Sequence, residues 1–288
     1  MRSVLSGVPV FKLYGEGSDW PTVDLLHCET ISSRSQLYGW EIDRHRHSDL
    51  WQLLYVRRGP ADLYVEGQHT RVEQPSIQLV PPMCVHGFRF QQQIEGYVLT
   101  LAAPLVGRLQ DELGSCGAVL QQARCYAVAH GGQYLDTLFA AIAEEYANPA
   151  QGRDVLLRSL VCALLVWLGR QLPQGEGQQD RLPRGSQHLQ RFVALVERHY
   201  HQHWPVSSYA HQLGVSTAYL NGICRQQAGQ TALQLIHQRL LLEAKRLLVY
   251  TALNVNQIAD QLGFSEPAYF IRFFKRLTGQ TPSRLRKG

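Results

Sequence analysis

Gln212-Leu213-Gly214-Val215-Ser216 and Gln261-Leu262-Gly263-Phe264-Ser265 are one pattern written twice, 49 residues apart. Gly229-Gln230-Thr231 returns as Gly279-Gln280-Thr281 at an offset of 50, so the second copy carries one extra residue in between. In each copy a short apolar-patterned helix runs into a Leu-Gly pair, where glycine tolerates the positive φ of a tight corner. Ser216 and Ser265 are then expected to cap the next helix with their hydroxyls, and Gly229 and Gly279 to end it. The pattern predicts second helices over 217–228 and 266–278, each the element that enters a DNA major groove in such a unit. The two helix-turn-helix motifs fall at about 207–228 and 255–278.

Residues 232–250 lie between the copies, are rich in leucine, lack Gly and Pro, and carry Lys245 and Arg246 near their C-terminal end. A helix of that length spans roughly 25 to 28 Å at about 1.5 Å per residue, which suits two reading helices one DNA turn apart. Charge points the same way. Residues 188–288 hold 12 Lys and Arg against 4 Asp and Glu, a net of +8, whereas residues 1–187 hold 16 against 19, a net of −3. A basic module joined to a slightly acidic one is what phosphate neutralisation requires of a DNA-binding chain.

On these residues the C-terminal hundred resemble the DNA-binding domain of the AraC/XylS family of bacterial transcription regulators. The family's second-motif signature is carried by Ile258-Ala259, Gly263-Phe264-Ser265, Tyr269-Phe270, Arg272, Phe274-Lys275-Arg276, Gly279, Thr281-Pro282 and Arg286. The resemblance implies base contacts from Ala218, Asn221 and Gly222 in the first motif and from Glu266, Pro267, Ala268, Ile271 and Arg272 in the second. Arg225 and Lys275 are then expected nearer phosphates. The first copy departs from the family pattern, with Gly222 where Arg is common and Cys224 where Phe is common.

At 288 residues and 45% hydrophobic content the chain is long enough for two domains with their own cores. No signal-peptide-like apolar run opens it, and no stretch of eighteen apolar residues offers a membrane span, so a cytoplasmic location and no membrane partner are expected. Six scattered cysteines without a CxxC pair fit reduced, packed thiols. Residues 173–187, rich in Gly, Gln and Pro, read as a flexible tether.

The N-terminal half changes period. Runs at 51–56, 61–65, 70–72, 76–80, 88–90 and 97–101 are rich in β-branched and aromatic residues and separated by Gly or Pro signals, with Glu66-Gly67-Gln68 as a hairpin turn. They predict a small antiparallel barrel or jelly roll. Gly39, His45, His47, Gln52 and Gly59 reproduce the spacing of the first cupin motif, with Gln52 where a metal-binding cupin has Glu. Pro82 and His86 fit the second motif, although Pro75 stands where a glycine is usual. The resemblance is to the effector-binding cupin domains of AraC-type regulators, over about residues 35–105. Because a carboxamide replaces the only anionic ligand, no metal and no cofactor are expected, and His45, His47, Gln52 and His86 are assigned to effector recognition.

Arg57 and Arg89, with aromatic neighbours such as Tyr55, Phe88, Phe90 and Tyr97, are assigned to hold the carboxylate and ring of a small planar acid. The text from Val10-Phe11-Lys12-Leu13-Tyr14-Gly15 through Val85-His86-Gly87-Phe88 resembles the 4-hydroxybenzoate-responsive activators of the family. Helices at 133–146 and 154–171 follow, the second with Leu157, Leu160, Val161, Leu164, Leu165 and Leu168 on overlapping apolar faces. The family's role for a helix there is dimerisation, and covering the barrel is the competing role.

The expected architecture is therefore α+β and multidomain: a cupin-like β-barrel with trailing helices (1–110), a helical, dimerising segment (111–172), a tether (173–187) and an all-α double helix-turn-helix domain (188–288). The expected function is a ligand-responsive transcription activator, with promoter DNA, RNA polymerase, a small aromatic acid and a second copy as partners, and no catalytic residue. A metal-dependent cupin enzyme fused to a DNA-binding tail is the alternative, and an architectural binder or repressor with an empty barrel is the third reading.

Overall fold

Short apolar and aromatic runs broken by turn residues assemble the first part of the chain, in a computed structural model that describes residues 24–47, 49–148, 150–172 and 184–287. Two compact units have Leu25–Arg181 and Leu182–Gly288 as their main spans. In the first, β1 (Leu26–Thr30) leads into α1 (Ile31–Ser35). There follow β2 (Glu41–His45), β3 (Leu50–Arg58), β4 (Ala61–Val65), β5 (Gln68–Val72), β6 (Ser76–Val80), β7 (His86–Phe90) and β8 (Glu95–Ala102). Then come α2 (Ala103–Leu113), β9 (Arg124–Ala127), α3 (Gly132–Ala147) and α4 (Arg153–Arg170). The Val10–Gly15 stretch quoted above lies outside the described residues.

All strand pairings are antiparallel, in a five-stranded sheet ordered β1-β8-β3-β6-β9 and a four-stranded sheet ordered β2-β7-β4-β5. The expected β unit is present, but as two cupin-like sheets rather than one closed ring, because β1, β9, β2 and β5 end their ladders as edges. Both sheets feed one core: Leu54, Val56 and Val98 from the first meet Ile42, Leu63, Phe88 and Phe90 from the second. The hairpin between β4 and β5 turns through Glu66 (φ 50°) and Gly67 (φ 81°), the two positive angles that a tight two-residue turn demands.

Alternation fails in β3, where Gln52 through Val56 are all buried. The reason is a second covering layer: Tyr55 turns away from the sheet-to-sheet core and stacks on Phe139 of α3 at 4.7 Å, while its hydroxyl donates to Asp136 at 2.7 Å. On β2 the register shifts between Ile42 and His45, and the displaced strand runs so close to β7 that a Cβ at Gly87 would sit 2.9 Å from the Ile42 carbonyl oxygen. Only glycine accommodates that approach.

The second unit is all helical: α5 (Arg184–His199), α6 (Val206–Leu213), α7 (Thr217–Ala228), α8 (Ala232–Tyr250), α9 (Val255–Gln261), α10 (Pro267–Thr278) and α11 (Pro282–Lys287). α5 begins inside the stretch read as tether, since an amphipathic pattern already starts there; the remainder of that stretch, 173–183, lies outside the described residues. α5 is fastened to α8 by Arg239, which is buried, bonds Glu197 through Nε and, at 3.0 Å, through a terminal nitrogen, reaches Glu243 at 3.0 Å, and lies 4.0 Å over the Tyr200 ring. Burial opposes its charge, but the two carboxylates win and hold its pKa above the ordinary guanidinium value.

Both corners of the duplicated motif are glycines in the left-handed region, Gly214 at φ 69° and Gly263 at φ 76°, and at Gly263 a Cβ would collide with the His201 carbonyl oxygen. Ser216 caps α7 as expected, accepting from the Tyr219 amide at 3.1 Å, and Gly229 and Gly279 end α7 and α10. Ser265 does not cap α10. The extra residue of the second copy falls here, so Glu266 occupies the N-cap without a side-chain bond and Pro267 follows it. Among the described residues no helix is long and apolar enough to cross a membrane, and all six cysteines are free.

Candidate functional site

Two sites were expected, one on the second unit's surface and one inside the first. Leu220, Ile223 and Cys224 turn inward from α7, as Phe270, Phe273 and Phe274 do from α10, which leaves the opposite face of each helix to solvent. Ala218, Gly222 and Arg225 are exposed on α7, and Ala268, Arg272 and Lys275 on α10 with Glu266 just before it; Pro267 and Ile271 are half-buried. Arg272 leans over the Tyr269 ring, 6.0 Å away, so a planar cation is presented at the surface beside an aromatic.

Asn221 is half-buried and bonded within the unit. Its Oδ1 accepts from the Ala232 amide at 3.1 Å and its Nδ2 donates to the Thr217 carbonyl at 3.1 Å, so the carboxamide joins α7 to the start of α8. Arg276, exposed beside Lys275, received no role from the sequence although it stands in the quoted signature.

Inside the first unit, a cavity of about 20 Å³ lies between the sheets, with Phe88, Phe90 and Val98 as apolar lining and Glu29, Arg34, His45 and Gln52 as polar lining. Neither arginine assigned to an effector carboxylate reaches it. Arg57 is half-exposed and pairs with Asp136 at 3.3 Å, because it points to the same side of β3 as Tyr55, towards α3. Arg89, between the inward Phe88 and Phe90, points out of the sheet to Glu41 at 2.6 Å. Tyr97 likewise stacks on Phe139 rather than facing the cavity. The guanidinium at the cavity is Arg34, bonded to Glu29 at 2.8 Å. Burial raises the Glu29 pKa, but bonds from His27 and Arg34 outweigh it and leave the carboxyl below its ordinary value. Arg34 escaped the sequence reading because α1 spans five residues, too few to show a helical period.

The three histidines do come together. His45 and His86 face each other across the β2–β7 ladder, His47 lies just beyond β2, and their ring centroids are 4.2 to 5.1 Å apart. All three are buried, with one nitrogen from each lying within 4.8 Å of the others. Burial, and then the neighbouring His47, push the His45 pKa down to about 3, and the same causes with His45 added hold His86 well below the usual value. His45 and His86 are therefore neutral at physiological pH and offer lone pairs, not charge.

Comparison with known proteins adds a frame to this geometry. A helix-turn-helix domain description matches residues 209–288, and an AraC-like ligand binding domain description matches residues 31–190. The HTH-type transcriptional regulator ExsA of Pseudomonas aeruginosa is 29% identical over 103 residues, covering 36% of this chain and 37% of that protein. The arabinose operon regulatory protein of Salmonella typhimurium is 33% identical over 86 residues, covering 30% and 31%. The chain thus spans about a third of the length of these relatives. Among solved structures it is similar to ToxT of Vibrio cholerae O395, at 14% identity, 91% of this chain and 97% of that one covered, and a TM-score of 0.39.

Proposed function

The chain belongs to the AraC family of transcriptional regulators, and on that premise we propose that it activates transcription when its N-terminal unit takes up a small aromatic carboxylate such as 4-hydroxybenzoate. The observation that carries the effector class is the meeting of one guanidinium, Arg34, with Phe88 and Phe90 around a single interior cavity. Ring burial would give affinity and an exchanged ion pair at Arg34 orientation. A ring does not fit into about 20 Å³, so uptake would part the two sheets, and that displacement is the means by which ligand biases one state of the protein.

Ala218, Gly222 and Arg225 on α7, and Glu266, Pro267, Ala268, Ile271, Arg272 and Lys275 at α10, are the proposed DNA contacts in adjacent major grooves. A second copy would dock on α4, where Val155 and Leu156 are 58% and 47% exposed although the opposite face is buried. The proposed order along the chain is effector binding, dimerisation, tether and DNA reading, with RNA polymerase as the partner recruited at the promoter.

A thermal-shift comparison tests the effector. 4-Hydroxybenzoate raises the melting temperature of the full chain, benzyl alcohol does not, and Arg34→Ala removes the response. Equal stabilisation by benzyl alcohol would remove the carboxylate argument, and no response to any aromatic acid would overturn the effector class.

A further inference from the structure

We propose that a chain of polar side chains, Arg34, Glu29, His27, Tyr146 and Arg153, couples the interior cavity to the corner between α3 and α4, so that an anion taken up at Arg34 is read at the start of α4. The trigger rests on the effector reading above; the coupling through the chain does not. Its first link is the cavity wall itself, where Arg34 donates to Glu29 at 2.8 Å and the two side chains are 12% and 17% exposed. β1 carries the second. His27 and Glu29 are two residues apart on that strand and so share one side of it, with His27 Nε2 3.5 Å from a Glu29 carboxylate oxygen.

At the other side of the imidazole, Nδ1 lies 2.8 Å from the hydroxyl of Tyr146, in the last turn of α3. The Tyr146 ring stands 5.3 Å from the guanidinium of Arg153, the first residue of α4. Arg153 is buried and donates to the carbonyls of Tyr146 at 2.7 Å and Glu145 at 2.9 Å, so it pins the end of one helix to the beginning of the next. The hydrogen bonds have one direction. A carboxylate only accepts, so the neutral His27 ring keeps its proton on Nε2, towards Glu29, and offers the Nδ1 lone pair to the Tyr146 hydroxyl. Tyr146 thus donates to His27, while His27 and Arg34 point their donors at Glu29 from two sides, and bonds arranged in series polarise one another.

The two links at Glu29 are unequal, and that inequality makes a switch. Arg34 holds the carboxylate at full hydrogen-bond distance, whereas the 3.5 Å approach of His27 is slack, and His27 Nε2 is buried with no hydrogen-bond partner among the described residues. A ligand carboxylate that draws Arg34 away leaves Glu29 to His27. The slack contact then closes, because a shielded carboxylate without a donor is costly. His27 moves towards the cavity and takes the Tyr146 hydroxyl with it, which shifts the ring beside Arg153. Val155 and Leu156, the exposed residues proposed to meet a second copy, follow Arg153 within one turn of α4. Two arrangements of one carboxylate thereby bias two arrangements of the helix corner, which is the physical content of a coupling between sites.

The test is a double-mutant cycle on the full chain, read by amide hydrogen exchange at the α3–α4 corner, residues 145–158. Arg34→Gln, with no ligand added, imitates the loss of the guanidinium and should change exchange at the corner by at least about threefold, with β6 unaffected. Tyr146→Phe keeps the ring beside Arg153 but removes the hydroxyl, so adding Arg34→Gln to it should change the corner no further. Should Arg34→Gln fail to fold, Glu29→Gln, which cuts the chain at its centre, takes its place in the cycle. 4-Hydroxybenzoate should reproduce the Arg34→Gln response in the wild-type chain and not in Tyr146→Phe, while raising the melting temperature of both. A corner response to Arg34→Gln but none to the acid would support the chain and count against the effector reading alone. Equal responses to Arg34→Gln with and without the Tyr146 hydroxyl, or no response in either background, would overturn the proposal.

Discussion

α7 and α10 are the same helix in two settings. At an offset of 50, Leu220, Ile223 and Cys224 correspond to Phe270, Phe273 and Phe274 on the buried face, and Gly222 and Arg225 to Arg272 and Lys275 on the exposed one. In the second copy Phe264 joins a ring cluster with Phe270 and Phe273, each 5.3 Å away, where the first copy has aliphatic and thiol groups. The corner glycines and closing glycines are shared; the contents of both faces are not. The features that make a helix-turn-helix are thus separable from those that stabilise and aim it, and the second copy has the more aromatic reading helix and the more cationic surface.

Substitutions that exchange the two settings test this, and the largest effect is expected in the core. Phe274→Ala should cost about 3 to 5 kcal/mol, and Cys224→Ala no more than about 1, in denaturant titrations read on the helical unit. Equal losses would mean that the two copies are supported alike. Next, Arg272→Ala should weaken operator binding by about 1 to 3 kcal/mol with relaxed preference at one base pair, while Arg225→Ala should weaken all sequences alike and lower the salt slope by about one. A uniform loss for Arg272→Ala in footprinting would make it a phosphate contact.

A smaller gain is expected from Gly222→Arg. A Cβ there meets nothing within 4 Å, so the change adds a cation and up to about 1 kcal/mol of helix propensity without a clash. Tighter binding with a steeper salt dependence is the predicted readout, and unchanged binding would remove α7 from the DNA face. Least of all, Asn221→Ala should cost under about 1 kcal/mol of stability, a lost cap partly offset by the propensity of alanine, and leave base preference unaltered. A changed base preference would restore Asn221 to the reading set.

The helical unit was legible because its signals are local: a glycine at each corner, a serine or threonine at a cap, an apolar stripe within one helix. What failed there was also local, a one-residue insertion that moved the α10 cap from Ser265 to Glu266. In the β unit the strands were readable from composition, and β1, β2 and β9 were missed because none of them shows a long alternating run. Which side of a strand is inside depends on what covers it, and the layer formed by α3 sends Tyr55, Arg57 and Tyr97 away from the cavity. The approach of His45, His47 and His86 was implied by motif spacing, whereas Arg34 had no such spacing to reveal it.

The buried knot at Arg239 has an evolutionary consequence. Replacing Arg239 alone leaves the Glu197 and Glu243 carboxylates without the cation they share, at a cost of about 3 to 5 kcal/mol, whereas an apolar trio in their place can be neutral or better. That single step therefore descends into a fitness valley that only a joint change crosses. Descendants of this chain should keep the three positions as a block or exchange them as a block, so that α5 and α8 drift as one heritable unit.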